Sequence, residues 1–305
     1  MNMISKFFGA LTLAALALGT TQASGQNATS TLKKIAETGS ITLSVRDNQL
    51  PFSYIDDNQK VMGYSLDLCN QVVGAIKIAV GLKAIDVKTQ LVTAQTRIPL
   101  LANGTVDLDC SSVTNNAARQ QQVAFSNTTF LTATTFAYKK QSGLKTITDL
   151  KGKTVVSIAG TNNIVQLNEA NTKRDLGIRI VGAKTMAEAF LMLSTDRAVA
   201  LVTDDILLAS FIAASADADA YAISTDAFAP VEPYGLVMRR DDPEFKRVVD
   251  KALANYFATP AAIETYNKWF MKPIPPKNIT LNFPMSAGLK KAFAKPTDSI
   301  DPAAY

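Results

Sequence analysis

The chain has 305 residues, 47% hydrophobic and 19% charged, with a formal charge of +5, enough for one large or two medium domains. The basic surplus is mild and scattered, with no Lys/Arg run and no basic–aromatic alternation, which argues against a nucleic-acid surface. The chain has no histidine, which excludes Ser-His-Asp and Cys-His catalysis and any histidine-ligated metal.

The first predicted element is a leader. Residues 1–6 end in Lys6, residues 7–18 are apolar, and Thr21-Gln22-Ala23 or Ala23-Ser24-Gly25 supplies a small-residue cleavage pattern. This reads as a secretory signal peptide over 1–25, too short for a membrane span. No cysteine lies near the cleavage site, so no lipid anchor is expected. No later apolar run is long enough to cross a bilayer. The expected product is a soluble, exported protein, with the bacterial periplasm as its compartment. Cys69 and Cys110 would meet an oxidising environment there, but two thiols are not a disulfide framework, and both could equally be buried small hydrophobes.

A helix is predicted over 32–37, stopped by Gly39, then a strand over 41–45 and a loop beginning at Arg46. Helix 65–80, strand 87–92, helix 96–103 and strand 106–110 follow. A second set comprises strand 155–158, helix 163–171, strand 178–181, helix 185–193 with Thr185 and Glu188 in capping-box spacing, and strand 198–202 ending in Asp204-Asp205. Amphipathic helices are predicted over 242–257 and 260–270, before a Pro-rich tail. Strand–helix alternation at these lengths argues for an α/β architecture with largely parallel sheets. Segments 128–140 and 232–239 read as crossings between the two sets.

In such folds ligands bind beyond the carboxyl ends of strands. Four predicted strands end at Val45, Cys110, Ile158 and Val202. Just beyond them lie Arg46, the run Ser111 to Arg119, the turn Gly160-Thr161-Asn162 and Asp204, with Arg97 at the start of its own helix. Hydroxyls and amides placed where a strand meets a helix read a small anion or merely cap the helix. Arginine forks match carboxylates, and a carboxylate such as Asp204 matches an ammonium. The set suits a zwitterion with an extra negative charge. Asp107/Asp109 and Asp204/Asp205 are the paired carboxylates available for acid–base work or a hard cation. Neighbouring strand residues face opposite ways, so Asp204 and Asp205 are not expected to share a site. No Walker loop or dinucleotide fingerprint is present, and no cofactor or metal is expected.

The chain resembles the type II periplasmic solute-binding proteins of polar amino-acid ABC transporters, in particular those for glutamate and aspartate, over residues 30–295. The resemblance is carried by Pro51-Phe52-Ser53-Tyr54, Gly63-Tyr64-Ser65, Arg97-Ile98-Pro99-Leu100-Leu101, Asn103-Gly104-Thr105, Thr114-Asn115-Asn116 with Arg119-Gln120, Asp149-Leu150-Lys151-Gly152-Lys153, Asp204-Asp205, Tyr234-Gly235, and Trp269-Phe270 with Pro273-Ile274-Pro275-Pro276. It implies an α/β, two-lobed type II binding-protein fold with two crossover strands, closing on its ligand. Lobe 1 would comprise 26–131 plus 235–305 and lobe 2 would comprise 132–234.

The resemblance further implies that Arg119, Ser112 and Thr114 hold an α-carboxylate, Asp204 the α-ammonium, and Arg46 and Arg97 a side-chain carboxylate. Thr161 and Asn162 would come from lobe 2. The sequence departs from the family where Ala94 stands for a serine, Met186 for a histidine and Asn162 for a threonine. The implied function is the periplasmic, monomeric binding component of an acidic amino-acid importer, with permease subunits in the inner membrane as partners and no nucleic acid. An exported dehydratase or lyase on the same scaffold, or a sensor feeding a receptor, are the alternatives.

Overall fold

The structure, a computed structural model, describes residues 30–305. The leader expected over 1–25 lies outside them. Helix α1 (Thr31–Thr38) stops at Gly39, whose left-handed backbone (φ 67°) returns its N–H to the Ile35 carbonyl. Strand β1 (Ser40–Val45) follows, burying Ile41, Leu43 and Val45. A small sheet of β2 (Asn48–Gln49), β3 (Ser53–Ile55) and β4 (Val61–Met62) leads into α2 (Tyr64–Ala79). Helix α2 buries Leu68, Cys69, Val72 and Ile76, which helical spacing puts on one face. Then come β5 (Asp86–Leu91), α3 (Arg97–Ala102), β6 (Leu108–Asp109), α4 (Ala117–Gln120) and β7 (Val123–Phe125).

The chain crosses over through β8 (Phe130–Thr132). The second set is β9 (Thr134–Lys139), β10 (Thr154–Ile158), α5 (Asn162–Lys173), β11 (Arg179–Ala183), α6 (Met186–Ser194), β12 (Ala200–Asp204), α7 (Asp205–Ala214) and β13 (Tyr221–Ile223). It returns through β14 (Glu232–Tyr234) to β15 (Val237–Arg239), followed by α8 (Pro243–Phe257), α9 (Pro260–Phe270) and α10 (Ala287–Ala294).

Two five-stranded sheets result, ordered β5-β1-β6-β15-β7 and β11-β10-β12-β9-β13. They are mixed rather than largely parallel. In the first, β1 runs parallel to β5 and β6, while β15 pairs antiparallel with β6 and β7. In the second, β10 runs parallel to β11 and β12, while β9 runs antiparallel to β12 and β13. The antiparallel members β9 and β15 are entered directly from the crossing strands, without the intervening helix that a parallel connection needs. The crossings β8 and β14 themselves pair antiparallel, Phe130 opposite Tyr234.

Aromatic packing anchors these crossings. Phe130 lies 5.0 Å from both Phe52 and Phe270, and Tyr234 lies 5.3 Å from Phe52. All four rings are buried. The crossing strands are therefore gripped by loop and helix of the first set, a geometry that offset and edge-on ring pairs favour.

Cys69 of α2 and Cys110, just past β6, form a disulfide across 41 residues, which resolves the alternative left open above. A crosslink closing a loop of this order is worth about 2–4 kcal/mol, and it tethers the segment that begins at Ser111. The strand expected over 106–110 shrinks to two residues, because carboxylates take over part of its hydrogen bonding. Asp107 accepts from the Thr42 N–H at 2.8 Å and from Lys34 at 2.8 Å. Asp109 accepts from Ser44 Oγ at 2.7 Å and from the Ser111 N–H at 3.0 Å. Both carboxylates are buried supports of the first sheet rather than an acid–base or cation pair. Among the described residues no helix is long and apolar enough to cross a membrane, and no cluster of His, Cys, Asp and Glu could hold a metal.

Candidate ligand-binding site

The carboxyl ends of β1, β6, β10 and β12 face one cavity between the two sheets. It is lined by Arg46, Arg97, Ser112, Thr114 and Arg119 from the first set, and by Thr161, Asn162 and Asp204 from the second. All eight residues singled out from the sequence thus come together. Ile158, Met186 and Leu207 supply an apolar wall. Met186, the first residue of α6, is buried there. Ala94 is buried too, but it is not among the lining residues.

The three arginines are only 6%, 3% and 8% exposed, in the order 46, 97, 119. Among the described residues, none has a carboxylate within ion-pair distance. Arg97 Nη1 donates to the Ser112 carbonyl at 2.9 Å and to Ser111 Oγ at 3.3 Å. Arg119 Nη1 donates to the Thr114 carbonyl at 2.8 Å. Arg46 Nε and Nη1, Arg97 Nε and Ser112 Oγ are buried without any partner within the protein. Burial, and then the charge of Arg97, push both Arg46 and Arg119 down to about 10, and burial lowers Arg97 as well. They remain cationic at neutral pH. Buried cations with unpaired donors call for an anion.

Asp204 ends β12 and sits at the N-terminal boundary of α7, but its side chain does not cap that helix. Its carboxylate instead accepts from Tyr234 Oη and from Asn163 Nδ2, the latter at 2.8 Å. Asn163 also donates to Thr134 Oγ1 at 2.7 Å. Burial pushes Asp204 up to about 7 against the pull of these two donors, and the nearby Glu232 and Asp205 add to the rise. Asp205 does not line the cavity and accepts from Thr132 Oγ1 at 2.7 Å. The two carboxylates do separate work, though not by strand alternation, since the strand ends at Asp204 and Asp205 opens α7.

Thr161 caps α5, its hydroxyl donating to the Ile158 carbonyl at 2.7 Å and accepting from the Ile164 N–H. Asn162 lines the cavity, yet its amide is engaged elsewhere. Its Oδ1 accepts from Asn116 Nδ2 at 2.9 Å and its Nδ2 donates to Glu232 at 2.7 Å. Sequence reasoning missed Asn163, Tyr234, Glu232 and Asn116. Each makes a bond to a partner distant in sequence; Tyr234 and Asn116 stand in the Tyr234-Gly235 and Thr114-Asn115-Asn116 motifs, but nothing local pointed to these bonds. The cavity is closed over at its rim. A Cβ on Gly160 would lie 2.5 Å from Gln95 Cγ and 3.1 Å from its backbone N, so the turn after β10 touches the loop before α3. With φ at +79° as well, position 160 favours glycine twice over.

The sequence pattern of the bacterial extracellular solute-binding proteins, family 3, matches residues 41–272. The chain is 46% identical over 273 residues to the L-glutamate/L-aspartate-binding protein of Pseudomonas aeruginosa, covering 88% of this chain and 89% of that one. It is 41% identical over 286 residues to the glutamate/aspartate import solute-binding protein of Escherichia coli K12, covering 93% and 94%. Among solved structures, it is similar to an ancestral amino acid-binding protein described as a precursor of cyclohexadienyl dehydratase. That likeness has a TM-score of 0.68 at 26% identity and covers 79% of this chain and 99% of that one.

Proposed function

The chain belongs to the bacterial extracellular solute-binding proteins, family 3, and on that premise we propose that it captures an acidic L-amino acid, glutamate or aspartate, for import. The observation that carries this reading is the charge count of the cavity: three buried guanidiniums against one buried carboxylate, with Arg46 and Arg97 donors unpartnered. One ammonium and two carboxylates complement that set. Arg119, Ser112 and Thr114 hold the α-carboxylate, Asp204 the ammonium, and Arg46 and Arg97 the side-chain carboxylate. Thr161 closes from the second set. The naming of the two curated relatives as glutamate/aspartate-binding proteins supports the same ligand class.

The protein works as a periplasmic monomer after loss of residues 1–25. Lobes 26–131 plus 235–305 and 132–234 close by bending at the paired crossings β8 and β14. An ABC permease in the inner membrane then accepts the closed form.

Calorimetry with glutamate, aspartate, glutamine and asparagine tests the pocket. Both acids are expected to bind more tightly than either amide by about 1.5–3 kcal/mol, because an amide leaves buried guanidinium charge without a counter-ion. Tighter binding of either amide than of both acids refutes the assignment of Arg46 and Arg97.

A further inference from the structure

The unassigned polar residues at the cavity rim form a chain with a fixed direction. The Arg119 N–H donates to Asn116 Oδ1 at 2.9 Å, which leaves Asn116 Nδ2 as the outward group. Asn116 Nδ2 donates to Asn162 Oδ1 at 2.9 Å, which leaves Asn162 Nδ2 to donate to Glu232 Oε1 at 2.7 Å. A backbone donor at one end and a carboxylate acceptor at the other permit only this orientation of the two amides. The chain starts on the turn that carries Arg119, crosses to the first residue of α5 and ends on the return crossing β14. That turn is itself fastened to β14, since the Asn115 N–H donates to the Pro233 carbonyl at 2.8 Å and Thr114 bridges Tyr234. Within this run of bonds it is the Asn116–Asn162 link that spans the gap between the two sheets, while elsewhere the Lys277 ammonium of the first set reaches the Ala214 carbonyl of the second at 3.3 Å.

We infer that Asn116, Asn162 and Glu232 form a polarity-matched latch that holds the two lobes closed and positions Arg119. Asn162 is then a closure residue rather than a direct ligand contact, and where the resemblance puts threonine, this chain has an amide that joins two partners at once. Glu232 is the anchor, half-buried between Asn162, Gln166 and Arg119. The inference rests on the lobe-closing reading above but not on the identity of the ligand.

Asn116→Asp keeps size and still caps the Arg119 N–H, but presents an oxygen to Asn162. Whichever way the Asn162 amide turns, one end then meets a like acceptor. Asn116→Asp with Glu232→Gln lets the amide reverse, donating to Asp at 116 and accepting from Gln at 232, with net charge unchanged. Spin labels on Lys83→Cys and Lys173→Cys, exposed positions on the two sets, report the interlobe distance by pulsed EPR, since the native cysteines are bonded. Without ligand, Asn116→Asp is expected to lower the closed-to-open ratio at least about tenfold, and the double variant to restore it within about threefold. With L-glutamate as probe, its dissociation rate should follow the same order while the association rate stays nearly constant. A wild-type distribution as open as that of Asn116→Asp, or a double variant no better than the single, overturns the latch. Failure of L-glutamate to bind would fault the ligand assignment alone, because the unliganded distances still report on closure.

Discussion

Replacing Arg119 with methionine is expected to weaken binding of every amino acid by roughly 3–5 kcal/mol, the cost of burying a carboxylate after its ionic partner is removed. That is two to more than three decades in Kd. The loss should not spare glutamine, because the interaction removed is with the α-carboxylate and not the side chain. The unliganded protein should unfold at a temperature no lower than the wild type. Arg119 is a buried cation that burial and Arg97 already press down to about 10, so removing it relieves repulsion while forfeiting the Nη1 bond to the Thr114 carbonyl. Calorimetry with glutamate and glutamine, beside thermal unfolding without ligand, checks both halves. Micromolar binding retained in the variant would show that Arg119 does not face the ligand. A large fall in melting temperature would show that it is a structural residue instead.

How much of this was legible depended on the range over which the signal acts. Arg46, Ser112, Thr161 and Asp204 follow strand ends, and strand ends are visible as apolar runs that stop at turn residues. The helix over Asp205–Ala214 escaped notice because it is apolar nearly all round, leaving no period to read. Asp107 and Asp109 read as a pair of carboxylates available for acid–base work or a hard cation. They are buried instead, because Lys34, Ser44 and Ser111 satisfy them from positions no local pattern ties together. The same limit hid the latch: Asn116 to Asn162 and Asn162 to Glu232 are separations of 46 and 70 residues, and only the shared direction of their donors reveals a unit. The Cys69–Cys110 bond was a possibility on compartment grounds, and the 6.1 Å between their Cα atoms, a separation no spacing in sequence predicts, decides it.

Asp204 should make ligand binding depend on pH. In the unliganded protein, burial holds its carboxyl up to about pH 7, against about 3.9 in an unfolded chain. Between those values the folded state binds more protons than the unfolded one. Unliganded stability due to this group is therefore present at low pH and lost as pH rises towards 7. A ligand ammonium needs the ionised form, so binding below about pH 7 must expel the proton, and affinity should fall by up to about tenfold per pH unit as the medium is acidified. From pH 8 to pH 5 the expected loss approaches two decades, with close to one proton released per ligand at the acid end. Asp204→Asn is expected to bind weakly at pH 8, by roughly 3–5 kcal/mol, because the ammonium then enters the cavity without a counter-ion. It should also lose most of the pH slope, so the gap to wild type narrows towards pH 5. Any slope that survives reports on Glu232 and Asp205, whose own carboxyls are raised by burial. Calorimetry at both pH values, in buffers of differing ionisation enthalpy, measures affinity and proton count together. A wild-type Kd constant within threefold from pH 8 to pH 5, with no proton released, would mean that Asp204 is already ionised before the ligand arrives, held by Tyr234 and Asn163 alone.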